Sequence, residues 1–275
     1  MPQDLAPIIE SMAQEYITKR DNVALSIGII QDQHNSFYNF GTVSPVQHAA
    51  PNAETLYEIG SITKVFTGTV LAALVNDGTV ALDDPIHLYL PDGVGVPSKI
   101  QAITLRQLAT HTSGLPRLPQ SLLENAPDPT NPYAHYSAQH LYTDLETTEL
   151  LSPPGQTHAY SNFGMGLLGY LLSLKVGRSL EELVKTMICH RLGMTDTSIQ
   201  LTPEQQQRLA SGHATDGTLT ANWDFDVLAP AGALRSTAKD LLLFLQANLE
   251  LPNAAAGASE DGGLGEAIAL TQAMH

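Results

Sequence analysis

Ser61 and Lys64 are the first residues whose types and spacing could do chemistry. They open a segment, residues 60–76, in which Lys64 is the only ionisable side chain. The pattern predicts a buried helix that ends at Gly78, and residues three apart in a helix lie on one face. Burial disfavours a charged lysine, and a neutral amine beside a hydroxyl is a base beside a nucleophile. Ser-x-x-Lys also occurs by chance, and a lone helical lysine usually reaches the surface, so this motif alone leaves catalysis and ordinary packing both open.

Tyr160 and Asn162 form a second candidate group, which flanks Ser161 immediately before another predicted helix. In a tight turn, a phenol held near an amine can share its proton, and an asparagine can orient both groups by hydrogen bonds. The same three residues would also make an ordinary helix start, with Ser161 or Asn162 as the N-cap. A chemical role for this group therefore depends on its lying close to Ser61.

Together, these segments resemble the serine β-lactamase and penicillin-binding-protein superfamily, in particular class C β-lactamases, D-Ala-D-Ala peptidases and family VIII carboxylesterases. Ser61-x-x-Lys64 is similar to the first motif of that superfamily and Tyr160-x-Asn162 to its second. The resemblance extends over residues 5–250 and includes supporting stretches at 56–60, 108–116, 154–155, 192–194 and 230–240.

The resemblance implies a serine hydrolase that forms an acyl-enzyme on an ester or amide: a β-lactam, a D-Ala-D-Ala peptide or a small carboxylic ester. Ser61 would be the nucleophile, and Lys64 would activate it, alone or with Tyr160. Tyr160 would act as general base and then as proton donor to the leaving group, and Asn162 would position the substrate or Lys64. The Ser61 N–H would supply half of the oxyanion hole. No metal or organic cofactor is implied.

The resemblance also implies a third motif, Lys or His followed by Thr/Ser-Gly, on a strand that borders the site. No segment after Asn162 fits it: residues 185–187 lack the glycine and lie in a predicted helix, and residues 211–215 also fail. We therefore expect the last strands of the sheet, with this motif and the second oxyanion donor, to be missing. Loss of one such donor typically costs about 100- to 1000-fold in rate. The alternative is a catalytically silent, truncated relative that serves as a binding or interaction protein.

The predicted fold class is α/β (α+β), β-lactamase/transpeptidase-like: an antiparallel sheet flanked by helices, without its C-terminal strands, plus an all-helical region. Residues 1–60 and 231–275 are predicted to form the discontinuous, incomplete sheet region, and residues 61–230 the mainly helical region with both motifs. An unpaired sheet edge invites pairing with another chain. We therefore hypothesise either a truncated product or self-association through this edge.

Hydrophobic periodicity and turn residues divide the chain into predicted elements. They are a helix over 5–20, a hairpin of strands 23–30 and 37–41, short helices at 86–90 and 104–109, an irregular excursion over 116–136, a helix after Asp144, helices over 163–176 and 180–192, a Gly/Ala-rich tether over 254–265, and a helix over 266–273.

Composition narrows the range of partners. A formal net charge of -15 argues against nucleic acid or an anionic membrane surface. No apolar run reaches the length of a membrane span. The first residues lack a signal-peptide pattern, which predicts a cytoplasmic protein as written, or an exported one whose signal has been removed. A small-molecule substrate is the expected partner.

The remaining residues with reactive side chains are assigned ordinary roles. The ten histidines include no HxxxH pattern, so no metal site is predicted. His111 is predicted to stabilise a turn, and His158 is left outside the catalytic set. Cys189, the single cysteine, is predicted to be buried in a helix, and Trp223 to pack in a loop.

Overall fold

The structure, a computed structural model, describes residues 5–19, 23–31, 34–44, 49–124, 126–214, 216–250 and 263–273. The chain divides into two compact units. The first comprises the described parts of Met1–Glu58, Gly193–Asn222 and Arg235–Gln246, and the second those of Ile59–Leu192, Trp223–Leu234 and Ala247–His275. The domain boundaries predicted at residues 60 and 230 stay a prediction.

The strands of the described residues form three antiparallel pairs, all in the first unit. The strands are β1 Ala24–Gln31, β2 His34–Gly41, β3 Leu56–Glu58, β4 Gly212–His213, β5 Leu219–Thr220 and β6 Arg235–Thr237, paired β1–β2, β3–β6 and β4–β5. The predicted N-terminal hairpin is confirmed. Its polar connection is shorter than predicted, because backbone pairing continues to Gln31 and His34 despite their polar side chains.

Helices supply most of the second unit. In the described residues the α-helices are α1 Ala6–Thr18, α2 Thr63–Asn76, α3 Ser98–Gln101, α4 Leu105–Ala109, α5 Gln120–Glu124, α6 Ala138–Thr147, α7 Asn162–Val176, α8 Leu180–Val184, α9 His190–Leu192, α10 Pro203–Gln206, α11 Ala238–Glu250 and α12 Leu264–Gln272. Three 3₁₀ turns cover Gly60–Ile62, Ile86–Leu88 and Ala229–Ala231. A π-helical segment, Lys185–Cys189, interrupts the helix predicted over 180–192, and Cys189 is buried as predicted. No helix in the described ranges is long and apolar enough to cross a membrane.

Two predictions between residues 116 and 147 are wrong. The segment expected to be irregular contains α5, and α6 begins well before Asp144. The backbone N–H of Ser137, the N-cap of α6, donates to the ring of His140, which gives this N–H group a partner at the start of the helix. Asp144 is buried inside this helix, where its carboxylate accepts hydrogen bonds from Ser121 and Tyr136 at 2.6 Å each. The prediction was wrong because a polar aspartate in the sequence suggests a loop. Here, hydrogen bonds allow the Asp144 carboxylate to be buried inside a helix.

The other predicted helices at the two ends are confirmed as α1 and α12, with ends shifted by one or two residues. The Gly/Ala-rich tether predicted over 254–265 lies mostly outside the described residues, and its last residues, Leu264 and Gly265, belong to α12.

Candidate active site

Ser61 and Lys64 lie where the chain passes from a 3₁₀ turn into α2. Gly60 precedes them with φ +51°, a conformation that glycine adopts without a steric penalty. The Lys64 side chain is buried, with 7% of its surface exposed, and its amine donates to the Ser61 Oγ at 3.1 Å. The predicted proximity of these two side chains is therefore observed, and α2 ends before Gly78 as expected.

Burial is the main influence on the Lys64 amine. It lowers the pKa of Lys64 below its ordinary value, interactions with Tyr160 oppose this shift, and the positive charge of Arg117 adds to it. A lysine with a lowered pKa gives up its proton more readily than a surface lysine does. Lys64 can therefore serve as a base for the hydroxyl that it contacts.

Tyr160 contacts the same hydroxyl. Its Oη donates to the Ser61 Oγ at 2.6 Å, and the Lys64 Nζ lies 4.8 Å from the centre of its ring. Burial alone would raise the pKa of Tyr160. Hydrogen bonding with Lys64 and Ser61, together with the positive charges of Lys64 and Arg117, outweighs burial and lowers it. The Ser61 hydroxyl therefore has two neighbouring groups that can take its proton.

His111 holds the segment that carries Tyr160. Its carbonyl accepts the Ala159 N–H at 2.8 Å, and its Nδ1 accepts the Ser161 N–H at 3.2 Å, so it bonds to the residues on both sides of Tyr160. The two rings lie 4.7 Å apart between centres. Burial and the nearby Lys64 lower the pKa of His111 to about 4, so its ring is neutral at pH 7 and can accept this bond. His111 has φ +58°, which is uncommon for a residue other than glycine.

Ser161 and Asn162 begin α7. Ser161 is the N-cap: its Oγ accepts the Gly164 N–H at 2.8 Å and donates to the Pro116 carbonyl at 2.7 Å. The Asn162 Nδ2 donates to the Tyr133 Oη at 3.4 Å. The Asn162 Oδ1 is buried without a hydrogen-bond partner among the described residues, so it accepts no bond from Lys64. The role predicted for Asn162, which is to position the substrate or Lys64, stays a prediction.

A carbonyl on the other side of Lys64 is positioned by the close approach of the Pro230 ring to α7. The Lys64 amine donates to the Ala231 carbonyl at 2.5 Å. This carbonyl follows Pro230, which packs against α7 where that helix has no side chain: a Cβ at Gly169 would stand 2.3 Å from the Pro230 Cβ. The Thr67 hydroxyl also donates to the Pro230 carbonyl at 2.9 Å. These two contacts hold Pro230 in place, and with it the Ala231 carbonyl that accepts the hydrogen bond from Lys64.

Sequence reasoning missed Arg117 and Tyr133. The guanidinium carbon of Arg117 lies 5.0 Å from the centre of the Tyr160 ring. Tyr133 bonds to Asn162 and stacks on Phe225, with 4.4 Å between ring centres, and its ring lies tilted against Trp223 at 5.3 Å. Both residues lie in the segment that was expected to be irregular, and no local pattern marks them. Trp223 packs in this loop cluster as predicted but remains 43% exposed.

His158 lies at the surface beside the site. His158 is exposed, and its ring meets the edge of His111 with 5.9 Å between ring centres. Within the ranges that the structure describes, no group of three or more His, Cys, Asp or Glu side chains is placed to hold a metal ion.

Comparison with known proteins identifies similar chains. A family model described as Beta-lactamase matches residues 9–273. The D-alanyl-D-alanine-carboxypeptidase/endopeptidase AmpH of Escherichia coli K12 is 29% identical over 246 residues, which make up 89% of this chain. The chain spans 62% of the length of that relative.

Solved structures show the same fold. A class C beta lactamase from Rhodobacter sphaeroides is 28% identical with a TM-score of 0.77, over 97% of this chain and 69% of that one. The D-alanine carboxypeptidase AmpC from Burkholderia cenocepacia is 26% identical with a TM-score of 0.79, over 96% of this chain and 68% of that one. The predicted β-lactamase/transpeptidase-like fold class is therefore confirmed.

Proposed function

Because this chain belongs to the Beta-lactamase family, within the serine β-lactamase and penicillin-binding-protein superfamily, we propose that it is a serine hydrolase that forms an acyl-enzyme at Ser61. One observation carries the proposal. The Ser61 Oγ lies within hydrogen-bond distance of both a buried lysine amine and a tyrosine hydroxyl. A nucleophile in contact with a base is the arrangement that covalent catalysis requires.

The proposed reaction has two acyl-transfer steps. The Ser61 Oγ attacks the substrate carbonyl carbon, and its proton passes to Tyr160 as phenolate or to Lys64 as neutral amine. The Ser61 N–H stabilises the oxyanion as one half of the oxyanion hole. The tetrahedral intermediate collapses, Tyr160 returns a proton to the leaving nitrogen or oxygen, and the acyl ester remains on Ser61. Water then attacks the ester and gives up its proton to the same pair, the bond to the Ser61 Oγ breaks, and the pair returns a proton to Oγ as the acid is released.

The substrate class follows from the relatives. Proteins similar to this chain are named as D-alanyl-D-alanine carboxypeptidases and as β-lactamases. We therefore propose a D-Ala-D-Ala peptide or a β-lactam as substrate, and a small carboxylic ester as the alternative acyl donor. Asn162 is proposed to position the substrate or Lys64, since its Oδ1 has no hydrogen-bond partner among the described residues and requires a donor.

Compartment and association are part of the same proposal. A cell-wall peptide as substrate requires export, whereas a small carboxylic ester is compatible with the cytoplasm, so cell fractionation separates the two.

Each strand of the β1–β2 hairpin has one edge without a strand partner among the described residues. We propose self-association along this hairpin, for which light scattering should give at least a dimer mass. A monomer that binds no dye for exposed apolar surface would contradict it.

Competitive labelling tests the proposed function. A fluorophosphonate probe should label the protein, and a β-lactam or a D-Ala-D-Ala peptide added first should slow that labelling. The Ser61→Ala protein should not be labelled. Equal behaviour of both proteins would instead favour the catalytically silent binding protein. Protection by a small ester alone would overturn the proposed substrate class and leave the mechanism intact.

A further inference from the structure

We propose that Arg117 is a positioning residue for the reaction: its guanidinium, packed against Tyr160, holds the phenol beside Ser61 and stabilises it as phenolate. The inference rests on the proposed function, since Tyr160 matters here as the partner of a nucleophilic Ser61. No motif contains Arg117.

Among the described residues, no carboxylate forms an ion pair with Arg117. Its side chain is exposed, and the ion pairs found between described residues do not include it. Arg106 and Arg208, by contrast, each bond to an aspartate. A cation over an aromatic ring is attracted to the ring, and an unneutralised one also stabilises a negative oxygen on that ring.

The backbone fixes where Arg117 stands. Its carbonyl accepts the N–H groups of Asn162 and Phe163, at 2.9 Å and 3.3 Å. These are among the first N–H groups of α7, which have no partner within the helix. The Ser161 hydroxyl also donates to the Pro116 carbonyl. The loop that carries Arg117 is therefore bonded directly to the residues that follow Tyr160, which keeps the Arg117 backbone close to the ring.

The groups that face Tyr160 leave Arg117 a distinct electrostatic role. They are Lys64 from α2, His111 from the preceding turn, Tyr133, Arg117 itself, and His158 through its contact with His111. His111 is neutral at pH 7, and Tyr133 carries no positive charge.

Lys64 cannot act in both ways at once. As a cation it favours the phenolate, but as a neutral base it no longer does so. Arginine stays protonated throughout the working range of pH. Arg117 is therefore the positive charge that remains beside Tyr160 when Lys64 loses its proton. The same charge lowers the pKa of both Lys64 and Tyr160.

The pH dependence of Ser61 labelling tests this role. We would measure the second-order rate constant with an uncharged fluorophosphonate in the wild type, Arg117→Gln and Arg117→Lys. Arg178→Gln is the matched control, because Arg178 is also an exposed arginine of the second unit. The probe carries no carboxylate, so a loss of rate cannot come from binding a substrate carboxylate.

Loss of the Arg117 charge should move the acidic limb of the profile to higher pH. Labelling by Arg117→Gln should fall roughly tenfold at neutral pH, as expected for removing one charge a few ångströms away, and recover at higher pH. Arg117→Lys should lie between this variant and the wild type, and Arg178→Gln should match the wild type. An unchanged limb, or an equal loss at every pH, would overturn the proposal.

A measurement that needs no activity separates this proposal from the proposed function. Tyrosine labelled with ¹³C at Cζ reports each phenol by NMR, and Tyr160→Phe identifies the signal of Tyr160. In Arg117→Gln the Tyr160 signal should titrate at higher pH than in the wild type, even if Ser61 cannot be labelled. Identical titration in the two folded proteins would overturn the role of Arg117, whereas failure to label the wild type would overturn the proposed function only.

Discussion

Replacing Gly169 with alanine should disturb the contact between α7 and Pro230. That contact positions the Ala231 carbonyl, which accepts a hydrogen bond from the Lys64 amine. Gly169 lies inside α7, and the added Cβ would stand 2.3 Å and 2.4 Å from two ring atoms of Pro230. A proline ring cannot rotate away as a flexible side chain does, so the backbone before Ala231 must move. Gly68, inside α2, is the matched control, because a Cβ there meets nothing within 4 Å.

The two substitutions should shift stability in opposite directions. An alanine in a helix interior is favoured over glycine by about 1 kcal/mol, and Gly68→Ala should gain this amount in free energy of unfolding. Gly169→Ala should gain the same but lose about 3 kcal/mol to overpacking. We therefore expect Gly169→Ala to be destabilised by about 2 kcal/mol relative to the wild type.

Chemical denaturation and Ser61 labelling together measure both consequences. The denaturant midpoint should fall for Gly169→Ala and rise for Gly68→Ala. Because movement of Pro230 shifts the Ala231 carbonyl away from Lys64, labelling of Gly169→Ala should slow by roughly tenfold under conditions where it is folded. Equal stability and labelling of the two variants would refute the claim that this close approach positions the lysine.

The remaining predictions concern the groups around Ser61. Lys64→Arg should reduce labelling by about 100-fold or more, because arginine keeps its proton and cannot act as a base; labelling within a few-fold of wild type, measured by intact mass, would contradict the base role. Tyr160→Phe should slow labelling while leaving the free energy of unfolding within about 1 kcal/mol of wild type, since only a hydroxyl in an exposed hydrogen bond is removed; an unchanged rate would exclude Tyr160 from proton transfer. The pKa of His111 is lowered to about 4 in the folded protein, so the unfolded chain takes up its proton first as the pH falls. Stability present above pH 6.5 should therefore decline between pH 6.5 and 4 by at most about 3 kcal/mol. His111→Asn, which tolerates a positive φ, should flatten that slope in urea titrations, and an unchanged slope would contradict the lowered pKa.

Local sequence rules were enough for the first motif. A serine and a lysine three residues apart at the start of an uncharged segment predict neighbouring side chains, and the structure places them 3.1 Å apart. The contact between Ser61 and Tyr160 bridges 99 positions along the chain. No periodicity predicts such a contact, and only the resemblance to a family suggested it.

The parts that could not be predicted depend on contacts distant in sequence. His111 adopts a positive φ because its carbonyl and ring bond to Ala159 and Ser161, which lie far along the chain. Arg117 reaches Tyr160 because the start of α7 needs acceptors for its N–H groups and the Arg117 carbonyl provides one. These residues are placed by tertiary hydrogen bonds, which a pattern of apolar and polar residues does not predict.

The most direct test of the account is the covalent state of Ser61 itself. After incubation with a β-lactam, intact mass should show one added acyl group, and peptide mapping should locate it on the peptide that contains Ser61. Ser61→Ala should remain unmodified. A folded wild-type protein that gains no mass from either a β-lactam or a fluorophosphonate, or an adduct on another residue, would contradict the claim that Ser61 is the nucleophile.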